Sequence, residues 1–143
     1  MVKLAKAMKE AGVKTQPLST IWSPVSFEEK AGDAAEGYIR ALQFWAGDPG
    51  EKQQKFTAAY KAKYGEEPDH LNAQGYDQMM LVADIAKRGG TDREGFRKGL
   101  AETKGWKGVM GTVTIDAKGQ NTEMDAMRWV KTGPGGKLEL LKW

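Results

Sequence analysis

The chain has 143 residues, 40% of them apolar, and its 22 basic side chains against 19 acidic ones leave a net charge of +3. That length and apolar content suffice for one packed domain, and the charges are spread rather than gathered into a basic stripe, so a nucleic-acid partner is not implied. Lysines or glutamates break every apolar run short of the roughly 20 residues of a membrane helix, and Lys3, Lys6 and Lys9 exclude an export signal's apolar core from the first turns. With no cysteine, disulfides, thiolate metal sites and cysteine nucleophiles drop out together.

Leu4, Ala5, Met8 and Ala11 share one face of a helix over residues 2–11, closed by Gly12. A short strand is predicted over 13–22, approached through Pro17. Ser26 and Glu29 have the spacing of a capping box opening a short helix that ends near Gly32. Tyr38, Ile39, Leu42, Phe44 and Trp45 form a dense β-type run over 37–45 that suits a strand buried on both faces. Residues 51–64 return to helical spacing, with Phe56, Ala59, Tyr60 and Tyr64 aligned and Gly65 as the stop. Residues 71–88 form the most apolar helix and are expected to be covered on most sides.

Thr91 and Glu94 predict the cap of a further helix through Leu100, in which Gly95 and Gly99 each cost about 1 kcal/mol, so tertiary contacts must hold it. Three short β runs follow, 111–115, 126–132 and 137–143, the last two as a hairpin. The order of elements suits an α/β layered fold. In such folds a helix like 2–11 is the crossover after a parallel strand, and none precedes it here, so the sheet is expected to be incomplete.

Catalytic chemistry finds little support. His70 is the only histidine and sits in a Pro-Asp-His turn, where starting the helix at 71 accounts for it. The carboxylates are scattered or beside lysines, which predicts no metal site, and the adjacent pairs Glu28/Glu29 and Glu66/Glu67 read as solvated surface. The glycines suit caps and turns, not a phosphate cradle. Of five tryptophans, Trp22 stands out: it ends a strand and precedes Ser23, Pro24 and a helix, and ligands of α/β folds gather at the carboxyl ends of strands.

Ala31, Gly32, Ala34, Ala35, Glu36 and Gly37, followed by the aromatic strand and an Asp-Pro turn, resemble a segment of the leucine/isoleucine/valine-binding family, the type I periplasmic binding proteins of ABC transporters. Phe56, Ala59, Tyr60, Tyr64, Gly65 and Pro68 are similar to that family's Phe-x-x-x-Tyr-x-x-x-Tyr-Gly-x-x-Pro stretch, and Gly75, Tyr76 and Asp77 to its Tyr-Asp motif. Val109, Gly111, Asp116 and Gly119 resemble its late Gly-x-x-Gly, strand and Asp-x-x-Gly turn. The resemblance runs in order along nearly the whole chain and is to the family's C-terminal portion.

It implies a periplasmic binding protein type I fold, with two Rossmann-like αβα lobes closing on a solute, present here incompletely. Residues 1–47 would belong to the second lobe, 48–118 would return to the first lobe as helices, and 119–143 would close the second as a hairpin. Ligand contacts would fall on Thr20, Ile21, Trp22 and Ser23 and on Asn72, Gln74 and Tyr76. Thr20 stands where some relatives place an acid that pairs with an ammonium group, so an amide or aromatic acid joins the branched-chain amino acids as candidate solute, with Trp22 as a flat wall.

The function implied is the binding component of an ABC importer, periplasmic, without catalysis, cofactor or metal. Its partners would be the solute, a membrane permease and an N-terminal portion of the same protein that this chain does not contain. Such a piece is expected to dimerise, swap domains or join its partner portion, because apolar faces and a sheet edge are left open. A sensory or regulatory domain of the same fold is the alternative, and an α/β enzyme the third.

Overall fold

The computed structural model describes residues 1–19, 26–123, 125 and 127–141. The chain divides into two compact units, Met1–Gln43 with Met127–Trp143, and Phe44–Ala126.

In the first unit, helix α1 (Val2–Glu10) is followed by strand β1 (Leu18–Ser19), helix α2 (Phe27–Ala31), a 3-10 turn at Gly32–Ala35 and strand β2 (Ile39–Leu42). Further along the chain come β5 (Arg128–Thr132) and β6 (Leu138–Leu140). The sheet order is β1-β2-β5-β6. Leu18 pairs with Ile39 in parallel, Arg40 with Val130 and Val130 with Leu140 antiparallel, so the last two β runs pair as the hairpin that their spacing predicts. Phe27 and Val130 are fully shielded from solvent, and Phe27 meets the Tyr38 ring edge-on at 5.1 Å. Small residues (Ala5, Ala31, Ala34 and Ala35) let α1 and α2 approach this centre closely.

The strand predicted at 13–22 is confined to Leu18–Ser19 among the described residues, with Val13 exposed. Pro17 has no amide to offer a ladder, and its carbonyl accepts the Ile39 amide at 3.0 Å just before the pairing begins. Ser26 makes no side-chain cap. Its φ of −95° and ψ of 27° are not the extended conformation that turns an N-cap oxygen back onto the helix. Nor is Glu28 solvated surface: it pairs with Arg40, whose side chain is 3% exposed, and accepts a hydrogen bond from the Thr132 hydroxyl at 3.1 Å. The Arg40 guanidinium also lies 5.4 Å from the centre of the Phe27 ring. Burial lowers the Arg40 pKa, against the opposing pull of the Glu28 carboxylate.

In the second unit three helices follow in turn: α3 (Glu51–Tyr64), α4 (His70–Lys87) and α5 (Arg93–Ala101). A two-stranded ribbon of β3 (Trp106–Lys107) and β4 (Thr112–Val113) comes next. Helix α3 stops where Gly65 takes a left-handed φ of 78° and donates to the Lys61 carbonyl. Helix α4 begins with a reciprocal box in which Asp69 Oδ1 accepts the Asn72 amide at 2.9 Å and Asn72 Oδ1 the Asp69 amide at 2.8 Å. Helix α5 is capped by Asp92, which accepts the Gly95 amide at 2.7 Å. Thr91 is not the cap that its spacing to Glu94 predicts, because a carboxylate one residue later reaches the open amide as a stronger acceptor.

One strand appears where none is predicted, and one further expectation changes. The strand at Trp106–Lys107 has no alternating pattern and is held by pairing with Thr112 and Val113. Helix α4 buries Ala73, Asp77 and Ile85, while Leu71, Tyr76, Met79, Met80 and Val82 remain exposed. Its apolar content exceeds what α3, α5 and the ribbon cover. Of the described tryptophans, Trp45 and Trp106 are half-buried and Trp129 is 39% exposed.

Candidate functional site

Thr20, Ile21, Trp22 and Ser23 lie outside the described residues. Of the remaining sequence-derived candidates, Asn72 spends its backbone amide and side-chain carbonyl on the cap of α4. Gln74 is exposed, and Tyr76, 45% exposed, packs its ring 5.0 Å from that of Phe56. Asn72 and Tyr76 share the wall of a concavity of about 690 Å³ with Tyr60, Tyr64, Leu71 and Met79. Gln74 is not part of it. Tyr76 also borders a smaller hollow of about 300 Å³ with Met80, Trp106 and Lys52.

An aromatic chain sets the shape of these surfaces. Phe56 stands 5.7 Å from Phe44 and 5.9 Å from Tyr60, and Tyr60 lies 4.5 Å from Tyr64. The spacing 56, 60, 64 on α3 puts the three rings on one stripe, so helical periodicity builds the wall. It offers flat apolar faces with hydroxyls at their edges, suited to holding apolar or aromatic groups by contact and not to bond-making. Its cations are largely engaged: Lys52 donates to the Lys107 carbonyl and Lys55 pairs with Glu51 at 2.6 Å.

The residue that organises this side of the unit is Asp77, which the sequence marks only as part of a family motif. From the second turn of α4 its buried carboxylate accepts the amides of Val109 at 2.8 Å and Met110 at 2.6 Å. Gln53 of α3 donates to the Val109 carbonyl at 2.7 Å, so the turn is gripped from both helices. Gly108 lies directly on the carboxylate, where any Cβ would collide. Burial raises the Asp77 pKa, and the two amides and Lys52 pull it back down. The sequence signal was there in the Tyr-Asp pair followed, some thirty residues on, by closely spaced glycines. Among the described residues no group of three or more His, Cys, Asp or Glu side chains gathers as metal ligands would.

A family model described as periplasmic binding protein matches residues 1–137. The chain belongs to the periplasmic binding protein family. Its fold is the mixed α/β type I arrangement of that family, whose members are solute-binding proteins. The chain is similar to the leucine-binding protein LivK of Thermotoga maritima, at 25% identity and a TM-score of 0.81, over 99% of this chain and 40% of that one. It is similar to the branched-chain amino acid binding protein LivJ of Streptococcus pneumoniae, solved with isoleucine, at 25% identity and a TM-score of 0.82, over 98% of this chain and 41% of that one. A solute-binding protein of an ABC transporter from R. palustris, solved with benzoate, shares the fold at 21% identity and a TM-score of 0.77, over 98% of this chain and 39% of that one. The chain thus spans about two fifths of the length of these structures. Comparison with curated proteins gives no match.

Proposed function

We propose that this chain is part of the substrate-binding component of an ABC importer, working in the periplasm and taking a branched-chain amino acid or a related small solute, an amide or an aromatic acid. The observation that carries the reading is the family match over residues 1–137 together with the alignment of nearly the whole chain on LivK and LivJ. The first unit, Met1–Gln43 with Met127–Trp143, would serve as part of one lobe, with Thr20 to Ser23 meeting the solute. The helices of the second unit would return to the other lobe and bring Asn72, Gln74 and Tyr76 toward it. Closure of the lobes would trap the solute and present the closed form to the permease. Because relatives are more than twice as long, a complementary portion would supply the remaining contacts.

The test is a chimera in which these residues replace the matching two fifths of the Thermotoga LivK, titrated calorimetrically with leucine, isoleucine, valine and benzoate. Binding of an aliphatic amino acid, lost on Trp22→Ala, supports the amino acid reading. Binding of benzoate alone moves the solute to the aromatic acids. A folded chimera that binds none of the four overturns the proposal.

A further inference from the structure

We draw no further inference here: the strongest candidate, the hollow between α3, α4 and the ribbon that Tyr76, Met80, Trp106 and Lys52 line, belongs to the site already described, and nothing in the structure shows what covers its open side.

Discussion

Asp77 and Val109 are joined across the second unit by a 2.8 Å hydrogen bond from a loop amide to a buried carboxylate, with the Met110 amide on the carboxylate's other oxygen. One side chain of α4 thereby satisfies two backbone donors that would otherwise be shielded from both water and partner. Asp77→Ala is expected to lower unfolding free energy by about 3 kcal/mol, since orphaned donors carry their full desolvation penalty. Gly108→Ala is expected to do comparable damage, because its Cβ would meet Trp106 Cζ3 at 2.7 Å and collide with the carboxylate. Urea denaturation of both variants measures this, and an unchanged midpoint for either would show that the grip contributes nothing.

The same carboxylate gives a pH dependence of unusual sign. Burial, its largest influence, raises the Asp77 pKa above the 3.8 expected in an unfolded chain. Between those two values the native protein keeps a proton that the unfolded chain has released, so this group's contribution is full below 3.8 and is lost as pH rises through the folded value. Asp125 runs the other way: hydrogen bonds from Thr112 hold its pKa down, so its contribution is lost on acidification. The difference in stability between the native chain and Asp77→Asn isolates the first effect. That difference is expected to shift in favour of the native chain as pH is lowered toward about 4, and a difference flat in pH would remove the assignment.

In the first unit, Glu28, Arg40 and Thr132 tie α2 to the middle of the sheet. Glu28→Ala leaves a buried guanidinium without its carboxylate and is expected to cost about 3 to 5 kcal/mol, while the paired replacement Glu28→Leu with Arg40→Met is expected to recover most of the loss. Thermal unfolding of the two variants checks the order. Equal losses in the single and double variants would mean that the pair's charge is not what matters.

How much of this was legible in the sequence depended on whether the deciding contact was local. The stop of α3 at Gly65 was readable because a left-handed glycine after a periodic run has one mechanical meaning. The start of α4 was placed within a residue, yet its cap was missed because the box closes with Asn72 in place of the usual glutamate or glutamine. Glu28 was misread because its partner Arg40 lies in a different element, on β2, and nothing local distinguishes a paired glutamate from a solvated one. The exposure of Met79 was hidden for the complementary reason: apolar periodicity tells which face wants cover, not whether a cover is there. Of the candidate site, Asn72 and Tyr76 proved to share a wall because helical spacing put them there. The grip of Asp77 on Val109 spans 32 residues and needed the fold.

The two costly glycines of α5 find their explanation in its close approach to the end of α4. A Cβ on Gly99 would run into Cγ2 of the fully buried Ile85 and lie 3.4 Å from its Cβ, and one on Gly95 would come within 3.1 Å of the Gly90 Cα. Glycine therefore lets α5 close onto α4 around a single isoleucine, and Arg88 at the end of α4 donates across to the Gly99 carbonyl at 3.5 Å and the Thr103 hydroxyl at 3.4 Å. Gly99→Ala is expected to destabilise by about 1 kcal/mol, the overpacking of about 2 exceeding the helix-propensity gain of about 1. Ile85→Ala is expected to cost about 3 kcal/mol as an emptied core position. Together they should not add, because the methyl introduced at position 99 enters the space that the lost Cγ2 leaves behind. The double variant is expected to be more stable than the sum by about 1 kcal/mol or more, a coupling that a double-mutant cycle reads directly. Strict additivity would mean that α5 does not seat on Ile85 in solution, and the tertiary account of its glycines would have to be given up.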